Sequence, residues 1–278
     1  MNDDHYRAGK PTSARALLAD LRALGALGEA QAPATIAEGA LIRVGLADAY
    51  LTFETPLGLI YVAWNARGLS AVTRAESTDA FELWAYRLLG RQVYRDDTPP
   101  QALVHALSAW LAGDAHAQLS FDLRELTPFA RAALLKAREI PHGEVRPYSW
   151  IAREIGRPGA VRAVGTVMAR NPAPLFIPCH RVVRADGHLG AYGLGGPASK
   201  RTILSAEGLD VDQIEAFADE GVRYVGRDTD DSYCYPSCHF AQRIAPQHRV
   251  AFASEAQAQR AGRIPCNVCR PPEAQLAS

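Results

Sequence analysis

No long uncharged apolar run occurs in the 278 residues, although 48% of them are apolar, so a membrane-spanning helix is excluded. A secretory leader is not expected either. The N-terminus opens with Asp3 and Asp4, and its one apolar stretch, Ala14 to Leu27, is broken by Arg15, Asp20 and Arg22. A leader needs a basic start and an unbroken apolar segment. Net charge is absent, with 30 basic residues against 30 acidic ones. Cysteine is scarce: there are five, and an odd number without an export signal favours reduced thiols over a disulfide framework. These absences leave a cytoplasmic protein of two or three domains as the expectation.

The neutral total conceals segregation. Residues 1–141 carry 14 basic and 16 acidic residues, whereas 142–201 carry 9 and 3. Residues 207–231 hold 9 acidic against 2 basic, and 232–278 return to 5 basic against 2 acidic. Two basic blocks around an acidic segment are the footprint of two surfaces that meet phosphate, although basic side chains also simply solvate helices.

Residues 1–47 read as a helix (Ser13 to Leu27) and an Ala- and Pro-bearing linker. Tyr50–Glu54, Leu59–Trp64 and Leu69–Val72 read as strands separated by turns at Pro56–Gly58 and Asn65–Gly68. Helical patterns follow at Ala80–Leu89 and Gln101–Leu111, which makes 48–125 a small α/β unit with a packing role. Thr127-Pro128 then supplies a cap and a first-turn proline for a helix that ends at Pro141–Gly143. Ser149–Ile155, a Gly156–Gly159 turn and Ala160–Arg170 form a helix-turn-helix signal. Its second helix gathers Arg162, Thr166, Ala169 and Arg170 on one side and Val161, Val164, Val167 and Met168 on the packed side.

The five cysteines divide into one and four. Cys179 stands alone in Ile177-Pro178-Cys179-His180-Arg181-Val182. A thiol titrates near ~8.5 and attacks only as thiolate, so an adjacent His180 and a downstream Glu207 supply the parts of an activated nucleophile. A buried structural cysteine is the plain alternative. Cys234, Cys238, Cys266 and Cys269 form a C-x3-C and a C-x2-C pair 27 residues apart, a spacing that signals a tetrahedral zinc site. About 45 residues make a poor core on their own, so the metal is expected to fold this module. Chelation is accordingly expected to unfold it without disturbing Cys179.

Pro178-Cys179-His180-Arg181-Val182, preceded by Asn171-Pro172 and Arg162-Ala163-Val164-Gly165, resembles the active-site segment of the O6-alkylguanine-DNA alkyltransferases, over about Tyr50 to Leu209. The resemblance implies an α/β N-terminal domain (48–125) and a helical, winged-helix-like alkyltransferase domain (126–210). It further implies single-turnover transfer of an alkyl group from O6-alkylguanine in double-stranded DNA, after base flipping, to Cys179. His180 would relay the proton, Glu207 would orient His180, and Asn171 would brace the turn. Tyr148 would contact the flipped base, Arg162 would fill the vacated stack, and Met168, Tyr192 and the Val182 backbone would line the pocket. No organic cofactor is implied.

The segments Tyr233-Cys234-Tyr235-Pro236-Ser237-Cys238 and Ile264-Pro265-Cys266-Asn267-Val268-Cys269-Arg270 resemble Ada-type zinc-binding domains. That resemblance implies a small zinc-binding α+β domain at 232–272, after an acidic linker at 211–231. Its zinc would be held by Cys234, Cys238, Cys266 and Cys269, with Cys234 a second methyl acceptor from DNA methylphosphotriesters. The zinc domain comes last here, no pair of regulatory helices follows it, and Ile264 occupies a position where such domains often carry Arg. The expectation is therefore a monomeric, nucleoid-associated DNA-repair methyltransferase. Its rivals are a non-catalytic alkyl-damage recognition protein and an Ada-type methylation-responsive regulator.

Overall fold

Residues 34–273 are described by the structure, a computed structural model of the chain. The expected helix Ser13–Leu27 lies outside them. The chain divides into two units, with the boundary between Ala40 and Leu41. Helix α1 (Ala34–Arg43) contains that boundary, and all other described elements follow it, in the second unit.

Strands β1 (Ala47–Thr55), β2 (Gly58–Asn65) and β3 (Gly68–Thr73) form an antiparallel meander in which Leu51 faces Val62. The two-residue side-chain period sends Leu51, Ile60 and Val62 to one face and Tyr50, Tyr61 and Ala63 to the other, and both faces are buried. Gly68 (φ 128°) could carry no side chain, because a Cβ there would stand 2.2 Å from the Ser120 backbone. Helix α2 (Thr78–Leu89) starts at a Ser77 cap, ends at left-handed Gly90, and stacks Phe81 on Tyr61 with ring centroids 4.6 Å apart. Strand β4 (Gln92–Arg95), which the sequence reading missed, pairs parallel with β1 and gives the order β3-β2-β1-β4. Asp48 is fully buried beneath it and is tolerated because Arg91 Nε donates to it at 2.8 Å.

Helix α3 (Gln101–Leu111) links this sheet to the segment that precedes Cys179. Trp110 Nε1 donates to the Leu175 carbonyl (3.0 Å), and Val72 N to the Pro172 carbonyl (2.7 Å). The packing role expected of 48–125 thus has a definite object. Helix α4 (Pro128–Ala137) begins where Thr127 Oγ1 accepts from Ala130 N. Strand β5 (Arg146–Pro147) leads into α5 (Tyr148–Glu154), a 3-10 turn (Pro158–Ala160) and α6 (Val161–Ala169). As the helical projection predicts, Val164 and Met168 of α6 are buried while Arg162, Thr166, Ala169 and Arg170 are exposed. Strand β6 (Val182–Val183), directly after the Cys179 turn, pairs parallel with β5. Helices α7 (Gly196–Ala206) and α8 (Val211–Asp219) follow.

The acidic segment 211–231 is not a linker. It carries α8 and strand β7 (Tyr224–Arg227), an inner strand of the C-terminal sheet. Most of its charges are exposed while Val211, Ile214, Ala218 and Val225 are buried, so charge content alone concealed an amphipathic helix. Strand β8 (Ser232–Cys234), α9 (His239–Gln242), β9 (Arg249–Phe252), α10 (Glu255–Arg260) and β10 (Ile264–Pro265) complete this part, with sheet order β10-β8-β7-β9. One buried core runs without a break from Val62 through Leu134, Ile151 and Val164 to Val225, Tyr233 and Phe252.

Candidate active site and four-cysteine cluster

The Cys179 turn is held from several sides. Asn171 Oδ1 accepts from Ala173 N (3.1 Å), and its Nδ2 donates to the Ile177 carbonyl (2.8 Å) and to Cys179 Sγ (3.1 Å). Leu175 sits at φ 73°, a left-handed conformation that a branched side chain adopts only when its surroundings impose it. Cys179 is 5% exposed and opens a short 3-10 turn, Cys179–Arg181. Burial pushes its thiol upward, while the Asn171 amide and the Lys200 charge work in the other direction.

Beside it, His180 Nε2 lies 2.8 Å from Glu207 Oε1, and Arg181 Nη2 donates to the same oxygen at 2.8 Å. Burial alone would raise the Glu207 carboxyl, but the hydrogen bonds and charges of His180 and Arg181 outweigh it and hold it far below the usual range. Burial lowers the His180 imidazole and outweighs the raising effect of Glu207, which favours the neutral ring. With Nε2 committed to the carboxylate, Nδ1 is buried without a protein partner and free to accept a proton. Tyr192 lies edge-on to His180, ring centroids 6.0 Å apart, and its buried hydroxyl is also unpartnered. Met168, Val182 and Tyr192 share one buried cluster with Cys179, and half-buried Tyr148 packs against it. Burial raises both phenols, and the Cys179 charge adds to the effect. Arg162 stands apart, on the exposed face of α6.

Two charged residues at the site escaped the sequence reading. Arg181 lies inside the Pro-Cys-His-Arg string and ties Glu207 to the Ile140 carbonyl (2.8 Å). Lys200 is fully buried, donating to the Val182 and Leu189 carbonyls at 2.6 Å each, and burial lowers its ammonium to about 8. A signal existed, because Lys200 shares the buried face of α7 with Ile203 and Leu204 at helical spacing. The Val182 carbonyl keeps a second lone pair for another donor.

Cys234, Cys238, Cys266 and Cys269 converge, their sulfurs all within 4.8 Å of one another. A tetrahedral ion with metal–sulfur bonds of ~2.3 Å needs sulfurs ~3.8 Å apart, so the donor set fits zinc. Shared hydrogen bonds divide the thiols, with Cys238 and Cys266 held low and Cys234 and Cys269 pushed up. Four sulfurs this close become thiolates together only around a cation. Cys238 and Cys269 are wholly enclosed, whereas Cys234 reaches a surface cleft of about 260 Å³ flanked by Arg227, Arg243 and Phe240.

The cluster is interlocked with the Cys179 half of the chain. Trp150 Nε1 of α5 donates to the Cys269 carbonyl (3.0 Å), and the Arg270 guanidinium lies 5.3 Å from the Trp150 ring. Ser237 Oγ accepts from Val145 N (3.0 Å) and donates to Val145 O (2.9 Å). The buried Glu144–Arg146 ion pair lies beside Cys238 and His239.

A buried thiol with an amide donor on its sulfur, beside an imidazole–carboxylate pair, is an arrangement suited to nucleophilic chemistry at sulfur. A family profile described as the DNA-binding domain of 6-O-methylguanine DNA methyltransferase matches residues 128–209. A methylated-DNA–protein-cysteine methyltransferase of Methanosarcina acetivorans is 35% identical over 162 residues, 57% of this chain and 97% of its own. A protein of the same name from Rattus norvegicus is 32% identical over 64% of this chain and 88% of its own. A crystal structure of Mycobacterium tuberculosis OGT in complex with DNA is similar over 60% of this chain and 99% of that one, with 31% identity and a TM-score of 0.48. The chain belongs to the methylated-DNA–protein-cysteine methyltransferase family.

Proposed function

We propose that Cys179 is the acceptor sulfur through which this chain carries out the direct-reversal DNA repair of its family. The observation that carries the assignment is the connected set Asn171–Cys179 and His180–Glu207. Its amide donor stabilises a thiolate, and its imidazole is neutral with one nitrogen free to take the thiol proton, directly or through a water. The target alkyl group lies inside the duplex stack, so the nucleotide must be extruded at a cost of a few kcal/mol. Arg162, exposed on α6, fills the vacated stack, while Tyr148, Met168, Val182 and Tyr192 receive the base.

Attack by Sγ on the alkyl carbon forms a C–S bond and breaks the C–O6 bond. The electron pair returns to guanine, which gains the proton that the thiol lost. Nothing in the site cleaves the thioether, so each molecule acts once. Residues 126–210 serve as the winged-helix-like DNA-binding half, and the protein works as a monomer in the cytoplasm on O6-alkylguanine in duplex DNA. Incubation with a duplex containing O6-methylguanine should add one methyl mass at Cys179 and none in Cys179→Ala. An unmodified wild-type protein that still binds the duplex would instead indicate a damage-recognition protein.

The C-terminal part is an Ada-like module in which Cys234, Cys238, Cys266 and Cys269 bind one zinc, and Cys234 accepts methyl from DNA methylphosphotriesters. Zinc so bound would lend Lewis acidity while leaving the thiolates nucleophilic. The Cys234 cleft supports this reading, since Arg227 and Arg243 suit neighbouring phosphates and a neutral triester enters readily. A duplex with a single methylphosphotriester should methylate Cys234, and an unchanged Cys234 would leave the metal a purely structural part.

A further inference from the structure

The short strand segment between the end of α4 and Tyr148 is shared by both halves. On its inner side, Gly143 N donates to Glu207 Oε2 (3.3 Å), and Arg146 pairs with Val182, three residues past Cys179. The approach is so close that a Cβ on Gly143 would stand 2.8 Å from the Glu207 carbonyl oxygen. Among the described residues, no strand lies alongside its outer side. Ser237 Oγ substitutes for one by satisfying both the N–H and the carbonyl of Val145. Glu144 Oε1 accepts from His239 N (3.0 Å), and the Gly143 carbonyl accepts from Gln242 Nε2 (3.1 Å). Ser237 and His239 flank Cys238, so the turn that presents a sulfur to the metal also clamps the segment that lies against Glu207 and leads through β5 to Tyr148.

Resting on the reading of Cys179 as acceptor, we infer that Ser237 is a positioning residue for alkyl transfer at Cys179, and that closing the four-cysteine cluster around its metal sets the Ser237–His239 turn that holds the 143–147 segment in place. The two halves are then not independent. Loss of the cluster frees the outer edge of this segment, and the freedom reaches Glu207 and His180 through Gly143.

The test uses the full zinc-loaded chain and compares wild type, Ser237→Ala, Ser237→Thr and Gln242→Ala. Three quantities are read: bound zinc by native mass, hydrogen exchange of residues 143–147, and the single-turnover rate of methyl transfer from an O6-methylguanine duplex. Ser237→Ala should keep its zinc, exchange faster at 143–147, and transfer methyl about fivefold or more slowly, since small misplacements near a reacting group cost rate heavily. Ser237→Thr, which keeps the hydroxyl, should recover both rate and protection. Gln242→Ala, away from the ligand turn, should move both in the same direction as Ser237→Ala and covers the case in which that variant loses metal. Faster exchange at 143–147 with a wild-type transfer rate, or unchanged exchange in both alanine variants, would overturn the inference. A wild-type chain that transfers no methyl would refute the Cys179 assignment, a distinct outcome.

Discussion

Asn171 Nδ2 donates to Cys179 Sγ at 3.1 Å and to the Ile177 carbonyl at 2.8 Å, so one amide holds both the Cys179 sulfur and the backbone that presents it. A hydrogen bond to a charged acceptor contributes about 1.5–3 kcal/mol. Asn171→Ala is therefore expected to slow methyl transfer by about 10- to 100-fold at neutral pH, where stabilising the thiolate matters most. Single-turnover kinetics on an O6-methylguanine duplex would show it, and a rate within twofold of wild type would remove Asn171 from the mechanism.

The transfer rate should be insensitive to pH around the ordinary histidine value of 6.5. The folded pKa of His180 is lowered by burial, so the imidazole remains a base until the pH falls below that point. The acid limb of the pH–rate profile should consequently lie below 6.5, and a limb at or above 6.5 would contradict a neutral buried relay.

Stability should carry the mark of Glu207. Its folded pKa is lower than its unfolded one, so its contribution is fully present above about 4.5 and disappears as pH falls through the lower folded value. Glu207→Gln should destabilise the protein at neutral pH by about 3–5 kcal/mol, because Arg181 and His180 lose a buried partner. The difference between the two proteins should shrink below pH 4.5, as urea titrations across the range would reveal.

Lys200 has the opposite pH signature. Its folded value of about 8 lies below the 10.5 of an unhindered lysine, so the unfolded chain binds more protons between these values and stability rises with pH there. The stability of wild type relative to Lys200→Met should grow by about 3 kcal/mol between pH 8 and 10.5. A flat difference would mean that the ammonium is better solvated than its two carbonyl partners imply.

Metal removal should be visible at Trp150. Its indole donates to the Cys269 carbonyl, so chelation should change tryptophan emission together with loss of one zinc per chain, and Trp150→Phe should abolish most of that change. Emission that ignores the metal would separate the two halves. Arg162→Ala should leave stability within about 0.5 kcal/mol, as expected of an exposed residue. It should nevertheless slow repair of duplex substrate about tenfold, on the order of 1.4 kcal/mol of the extrusion cost, and leave reaction with free O6-methylguanine base unchanged.

Much of this molecule is local. Thr127-Pro128, Ser77 and Gly90 mark helix ends because capping involves only neighbouring backbone groups. The three strands from Ala47 to Thr73 follow from a two-residue alternation, and the face of α6 that bears Arg162 from a 3.6-residue one. The Cys179–His180 pair and the four-cysteine spacing were legible for the same reason, since reactive groups were already adjacent or regularly spaced. Strand β4 was not, because four residues that pair parallel with β1 carry no alternation long enough to read. The acidic run 211–231 misled because charge was counted without asking which face it occupied.

Sequence alone determined which atoms could react: a lone sulfur beside an imidazole, and four sulfurs able to share one ion. Tertiary structure decided what surrounds and couples them. Val145 and Ser237 lie 92 positions apart, and Trp150 and Cys269 lie 119 apart, yet each pair is joined by a hydrogen bond. No short-range pattern encodes such pairings, because they form only when buried backbone groups, cut off from water, find partners wherever the folded chain brings them.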